Sequence, residues 1–401
     1  PVLGLFFSMS DRSIVWRYYA FRASNAYGFY LPFSIIYLQQ ERGFGLATIG
    51  LLQATFLAAM VVGEVPTGYV ADRLGRRASL AVGNTCVVAA LLVPSFASGY
   101  LEDLVLQALV FAILALSWNL LAGYAGQISL GHAAFFGMGA FVSAWLTTPS
   151  AAGFPASIQL PIIPALVVGA LASALIALVI GPIIFRLTGH YFAIGTLALA
   201  AVIELIMLDR RDLTGGATGY YVQGDLSLSE TVSHGDVMFF LTLVATIATV
   251  VVTYLIVRGP TGLGMKAIHD DEDAASSLGV NPLKYKMYAF VVSSFFAGLA
   301  GALYGHYTLY LNPQSTLAVT WTIDSLVIVI LGGMGTFAGP ILGSGLFLLL
   351  DNGLTAIVGG YSEAVEGILI ILFIIFLPKG LYGILKQYLV EETGDTDTAH
   401  D

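Results

Sequence analysis

The polar segment from Arg258 to Lys286, RGPTGLGMKAIHDDEDAASSLGVNPLKYK, concentrates charge between two apolar stretches of this chain. Its four consecutive carboxylates, residues 270–273, offer oxygens that cap a helix N-terminus and negative charge for the first turn. Gly279 followed by Pro282 is typical of a helix end. We therefore expect a helix of about two turns in this loop, facing either a partner protein or solvent alone.

A second set of polar side chains lies within apolar sequence. Ionisable groups inside membrane spans are costly, and they usually face a cavity or a partner. Glycines surround part of this set, so we expect an interrupted helix there, with backbone groups satisfied by protein or by a water-filled path. These residues are candidates to line a transport pathway, although Glu204 alternatively bonds a neighbouring helix. The set is Asn119, Gln127, Ser129, His132 and Glu204.

Several kinds of chemistry are excluded. Cys86 is alone, so neither an internal disulfide nor a cysteine metal cluster can form. No GxxxxGK[ST] phosphate-binding loop occurs, so the chain is not expected to hydrolyse ATP or to be an enzyme. The six histidines lack the spacing of paired metal ligands, and we predict no metal site. They are His132, His190, His234, His269, His306 and His400.

Composition predicts an all-α, polytopic transmembrane helical bundle. Hydrophobic residues make up 57% of the 401 residues and charged residues only 10%, which cannot cover a soluble surface. A span needs about 20 apolar residues, so roughly a dozen spans fit. The net charge of -9 gathers in a C-terminal tail, residues 390–401, which we expect to be disordered and which argues against nucleic-acid binding.

The apolar pattern predicts twelve helices, several of them short or rich in glycine. The predicted ranges are 15–38, 47–70, 78–97, 104–121, 128–147, 160–185, 190–208, 236–257, 287–310, 320–334, 338–352 and 360–377.

Small residues recur at every fourth position in two places. Such spacing lets helices approach closely, and we expect these residues to serve helix packing. The two sets are Ala297, Gly301, Gly305 and Gly335, Gly339, Gly343.

The distribution of basic residues predicts orientation. With a cytoplasmic N-terminus, most Arg and Lys residues fall inside, and Arg42, Arg210 and Arg211 are the exceptions outside. The positive-inside rule therefore favours cytoplasmic N- and C-termini. It also places the loop of residues 258–286 in the cytoplasm.

From about residue 90 to 389 the chain resembles the permease subunits of branched-chain amino acid ABC importers. The resemblance is carried in order by residues 112–141, 189–205, 213–219, 258–286, 289–307 and 331–343, which include AGYAGQISLGHAAFFGMGAF and LGGMGTFAGPILG. It implies about ten permease helices, an inner-membrane location and a docking role for the charged loop. The implied docking residues are Asp271, Glu272, Asp273, Ala274, Ala275 and Gly279.

Near the N-terminus, the segment GEVPTGYVADRLGRR, residues 63–77, is similar to the loop between the second and third helices of major facilitator superfamily transporters. An arginine-rich cytoplasmic turn is the alternative. The resemblance implies that two facilitator-like helices precede the permease. The matching residues are Gly68, Asp72, Arg73, Gly75, Arg76 and Arg77.

We therefore expect a two-helix facilitator-like fragment in residues 1–77 and a permease domain in residues 78–389. The junction between the two lies between residues 77 and 93, and the disordered acidic tail of residues 390–401 follows the permease domain. Three origins stay open for the fragment: a natural fusion, a recombined gene or a chimeric sequence assembly. Met9 is a candidate start.

The permease resemblance implies import of branched-chain or related hydrophobic amino acids. It also implies cytoplasmic ATPase subunits that use the ATP, a second permease and an extracytoplasmic binding protein, with no cofactor on this chain. Urea or short amides are alternative substrates. A facilitator-type secondary transporter and an inert chimeric membrane protein are alternative identities.

Overall fold

The computed structural model describes residues 99–222, residues 234–358 and a few single positions between 361 and 380. Over these residues the protein is an all-α helical membrane protein with one two-stranded sheet. The predicted fold class is confirmed. The facilitator-like turn, the helices predicted over 15–38, 47–70 and 78–97, most of the helix predicted over 360–377 and the acidic tail lie outside the described residues.

The helices differ widely in length. They are α1 (Gly99–Asn119), α2 (His132–Thr147), α3 (Ile162–Ile184), α4 (His190–Asp209), α5 (Arg211–Thr214), α6 (His234–Arg258), α7 (Pro260–Asp270), α8 (Glu272–Ser277), α9 (Pro282–Thr308), α10 (Pro313–Thr316), α11 (Thr320–Gly332) and α12 (Gly339–Val358). The antiparallel strands are β1 (Tyr220–Tyr221) and β2 (Tyr310–Leu311).

Within the described ranges, six helical segments are long and apolar enough to cross a membrane. They are Gly99–Tyr124, Ile162–Ile184, His190–Asp209, His234–Arg258, Pro282–Thr308 and Pro313–Gly332. The predicted ranges match the observed helices to within a few residues in most cases. The largest shift is at the end of α12, which lies at Val358 rather than 352. The starts of α1 and α9 shift by five residues, to Gly99 rather than 104 and to Pro282 rather than 287.

The charged loop contains two helices where the sequence predicted one. Pro260 occupies the first turn of α7, where its missing N–H costs nothing. Gly262 and Gly264 weaken the intrinsic helical signal, but Met265 and Ile268 are buried, so tertiary packing stabilises α7. The helix that the sequence predicted is the second of the two, α8.

Helix α9 is the centre of the described bundle and packs most extensively against α2 and α3. The approach is close: a Cβ atom at Gly301 would lie 1.8 Å from the Phe136 carbonyl oxygen on α2. A Cβ atom at Gly139 would lie 2.0 Å from the Gly298 carbonyl oxygen on α9. Small residues thus bring two backbones into contact, in the region of buried Ala297.

The second set of glycines does not form one helical face. Gly335 lies in the turn between α11 and α12 with a φ of 72°, and its Cβ would face the Gly123 carbonyl oxygen. Gly339 is the first residue of α12, and of the three only Gly343 lies in the interior of that helix, where a Cβ would meet the Ile328 carbonyl oxygen at 2.2 Å. The four-residue spacing from Gly335 to Gly339 therefore runs from a turn into a helix, although the same spacing in sequence is typical of one helical face.

The loops gather at two opposite ends of the bundle. At one end, Lys266 of α7 lies over the Tyr124 ring, 5.7 Å from its centroid. At the other, the Tyr307 hydroxyl donates to the Asp103 carboxylate, and the sheet of β1 and β2 lies beside the α2 terminus. Burial raises the pKa of Tyr220 to about 12, so its phenol is protonated and donates to the Thr148 carbonyl.

Replacing Gly301 with alanine tests the α2–α9 contact. The new methyl would collide with the backbone of Phe136, which cannot move aside as a side chain can. We expect G301A to lower the free energy of unfolding by about 1–3 kcal/mol, as overpacking does. The measurement is thermal unfolding of the purified chain in detergent micelles.

The matched control is Gly345→Ala in α12. Among the described residues, no atom outside the adjoining helix backbone lies within 4 Å of a Cβ built at Gly345, so alanine should stabilise slightly through its higher helix propensity. Equal changes in the two variants would show that the α2–α9 approach is not tight.

Candidate functional site

The chain is interrupted between α1 and α2. After Asn119, α1 continues into a π-helical turn, Leu120–Tyr124, and residues 125–131 are not helical before α2 begins at His132. The sequence predicted an interruption but placed it within a helix starting at residue 128. A glycine allows the chain to leave the helical path after Tyr124, because the φ of 68° at Gly126 lies in the left-handed region that favours glycine.

Hydroxyl side chains from distant helices satisfy the exposed backbone at this interruption. The Leu130 N–H donates to Thr196 Oγ1 of α4 at 2.9 Å. The Ala133 N–H donates to Thr322 Oγ1 of α11 at 2.8 Å. Free N–H groups at a helix start need such acceptors in an apolar interior, so α4 and α11 hold the start of α2.

Ser129 closes the interruption from within. Its carbonyl oxygen accepts from Trp118 Nε1 at 2.8 Å, and its hydroxyl accepts from the Gly131 N–H at 3.2 Å. Ser129 is fully buried. Trp118 therefore ties the last turn of α1 to the non-helical residues that follow it.

His132 is fully buried and joins three helices. Its Nε2 atom lies 2.7 Å from Ser293 Oγ of α9, and the Ser293 hydroxyl donates to the Ser117 carbonyl at 2.7 Å. A serine hydroxyl has one hydrogen, so this hydrogen goes to Ser117 and His132 Nε2 must be the donor to Ser293. Nδ1 of His132 has no hydrogen-bond partner among the described residues.

Asn119 and Gln127 behave differently from the rest of the predicted set. Asn119 is buried and holds the turn between α11 and α12: its Nδ2 donates to the Thr336 carbonyl at 2.9 Å, and its Oδ1 accepts from the Gly335 N–H at 2.8 Å. Gln127 is half-buried, and its amide donates to the Ala125 carbonyl at 3.3 Å. Asn119 thus clamps the turn, while Gln127 lies in the interruption itself.

Glu204 is not brought to this cluster. It lies on α4, half-buried, eight residues beyond Thr196, which is about 12 Å further along the helix axis. Thr196 is the α4 residue that contacts the interruption. The sequence signal for Thr196, a hydroxyl within the apolar run YFAIGTLALA, is weak because threonine is common in apolar helices.

The charged loop contacts the interruption directly. A Cβ atom at Gly126 would lie 3.0 Å from Cδ2 of His269 on α7. With Lys266 over the Tyr124 ring, α7 therefore lies against the residues that link α1 to α2. Next along the chain, Asp271 caps α8, because its Oδ1 accepts from the Ala274 N–H at 2.9 Å.

Most of α8 faces away from the bundle. Ala275 is buried, but the flanking residues 271–274 and 276–279 are exposed. The helix ends at Ser277 with Leu278 as its C-cap, and the next residue is Gly279, whose φ of 86° suits glycine. Leu278 is 85% exposed at this end.

A family model described as the branched-chain amino acid transport system / permease component matches residues 100–376 of the chain. The chain belongs to this family. It is therefore a multi-pass membrane permease component, and the predicted family is confirmed. The predicted facilitator-like fragment lies before the matched residues and stays a prediction.

Curated relatives agree with this permease assignment. The chain is 29% identical over 333 residues to the high-affinity branched-chain amino acid transport system permease protein LivM of Escherichia coli strain K12, covering 77% of this chain and 76% of the relative. It is 24% identical over 297 residues to the permease protein BraD of Pseudomonas aeruginosa, covering 71% and 96%.

A relative with a different named substrate also matches this permease. The ribose import permease protein RbsC of Haemophilus influenzae is 26% identical over 225 residues, covering 54% of this chain and 68% of the relative. No solved structure matches the chain.

Removing the Ser293 hydroxyl tests the junction of the three helices. Ser293→Ala leaves the buried His132 N–H and the Ser117 carbonyl without this partner, so we expect this permease to lose about 1–3 kcal/mol of stability. The measurement is thermal unfolding in detergent.

The adjacent Ser294 provides the matched control. It is also buried, but its hydroxyl has no hydrogen-bond partner in the part of the chain that the structure describes. Ser294→Ala should leave stability unchanged or raise it. A loss as large as that of Ser293→Ala would contradict the assigned role of Ser293.

Proposed function

We propose that this chain is the permease subunit of an ATP-driven importer for branched-chain or related hydrophobic amino acids. The single observation that carries the proposal is the family match over residues 100–376, and the names of LivM and BraD support the substrate class. The ribose relative is a reason to test the substrate directly.

The partners follow from this proposal. The chain pairs with a second permease, binds cytoplasmic ATPase subunits that use the ATP, and receives substrate from an extracytoplasmic binding protein. Basic residues favour a cytoplasmic position for residues 258–286, with both termini on that side. The ATPase then meets α7 and α8.

Helix α8 is the proposed docking element. Its cap at Asp271 and its glycine end at Gly279 give it a defined length. Glu272, Asp273 and Ala274 are exposed, and Leu278 offers an apolar contact. Ala275 is buried, and α8 contacts α7 and α9.

The interruption before α2 is the proposed moving part of the pathway. ATP binding and hydrolysis stabilise different states of the ATPase pair, and α7 and α8 pass the difference to the bundle. Gln127, Ser129 and His132 lie at the interruption, where bonds between α2 and its neighbours exchange as the path opens. Asn119 holds the adjoining turn, and Glu204 lines the path at a separate level.

Reconstitution tests the function. With its cognate ATPase, second permease and binding protein in proteoliposomes, the chain should drive uptake of radiolabelled leucine that requires ATP. A hydrolysis-deficient ATPase is the control. Uptake of ribose or urea but not of leucine would overturn the substrate class, and leucine uptake without ATP would overturn the importer mechanism.

Leu278→Ser tests the docking surface. Burying a leucine side chain contributes about 1.5–3 kcal/mol, so its loss should weaken ATPase binding about tenfold or more. Binding is measured by surface plasmon resonance on nanodiscs that contain the permease pair.

The control is Leu278→Met, which keeps an apolar side chain of similar volume and should keep the affinity. Unchanged affinity in Leu278→Ser would place the ATPase contact elsewhere.

A further inference from the structure

The loop end of α9 carries a buried cation. Lys286 is in the second turn of α9, its side chain is only 8% exposed, and its Nζ lies 2.5 Å from Glu272 Oε2. Glu272 is the first residue of α8. The ion pair therefore joins the exposed helix of the loop to the central helix of the bundle.

Helix electrostatics explain why this lysine needs a partner. The N-terminal end of a helix carries partial positive charge, which disfavours a nearby cation, and a buried ammonium group is costly unless it is paired. Glu272 suits the first turn of its own helix. Loss of Glu272 therefore leaves the Lys286 charge in a less favourable environment than loss of Lys286 leaves the Glu272 charge.

The face of α9 that carries Lys286 also carries a residue that is hydrogen-bonded at the interruption before α2. Ser293 follows Lys286 by seven residues, which is nearly two full turns, so both lie on the same face of α9 about 10 Å apart along its axis. Ser293 is the residue bonded to His132 and to the Ser117 carbonyl. One helix face thus connects α8 to the start of α2.

We propose that the Glu272–Lys286 ion pair is a positioning contact that fixes α8 to α9, so that displacement of α8 moves the α9 face holding His132. This inference rests on the proposed docking role of α8. Neither residue touches the substrate. The pair determines how much of each ATPase movement reaches the interruption.

The coupling test uses the reconstituted complex. Glu272→Gln and Lys286→Gln should each lower the amount of leucine transported per ATP hydrolysed by at least about 5-fold, the lower end of typical coupling effects. Lys286→Arg keeps the cation and should keep most of the coupling. The double variant Glu272→Lys with Lys286→Glu restores the opposite charges and should recover most of the loss.

Asp270→Asn is the matched control, since it removes a carboxylate from the same loop whose side chain is 83% exposed. It should leave the ratio unchanged. An equal loss in Asp270→Asn would show a general charge effect. A loss in Glu272→Gln but not in Lys286→Gln would show that Glu272 acts on the ATPase directly, and either result overturns the inference.

A second readout needs no partner protein. In the full chain in nanodiscs, Glu272→Gln and Lys286→Gln should speed hydrogen exchange of the backbone amides of residues 274–280, while Asp270→Asn should not. Unchanged exchange overturns the positioning role while leaving the importer function intact. If wild type shows no ATP-dependent uptake, the proposed function fails, and the exchange result still decides whether the contact fixes α8.

Discussion

The structure depends on satisfying backbone hydrogen bonds where the chain leaves α1 and has not yet begun α2. Inside an apolar bundle no solvent can replace a missing partner, so each free N–H needs an acceptor from the protein. Thr196, Thr322 and Ser129 provide these acceptors. Their requirement brings α4 and α11 to the start of α2.

Close contact between the backbones of α2 and α9 also positions the residues around the interruption. Gly139 and Gly301 remove the side chains that would separate α2 from α9, and the resulting approach places Ser293 within bonding distance of His132. The interruption before α2 thus lies beside a contact in which α2 and α9 pack without intervening side chains at these two glycines. Residues 125–131 contact α1 through Trp118, α4 through Thr196 and α7 through His269.

Sequence reasoning succeeded where the signal was local. The membrane class, the helix ranges, the Asp271 cap and the interruption near Gly126 all follow from composition or from short patterns. It failed where tertiary contacts decide. Helix α7 contains two glycines and is stabilised by buried Met265 and Ile268, and the spacing of Gly335 and Gly339 spans a turn. The acceptors at the interruption lie 66 and 189 residues away from their donors, so no local pattern marks them.

The hydrogen-bond direction at Ser293 also sets the tautomer of His132. Because the single hydroxyl hydrogen of Ser293 points to the Ser117 carbonyl, the histidine donates through Nε2, so the neutral ring carries its hydrogen on Nε2 and leaves Nδ1 as an acceptor. Nδ1 has no hydrogen-bond partner among the described residues. A backbone carbonyl of α1 thus selects the tautomer of a histidine on α2, through one intervening serine of α9.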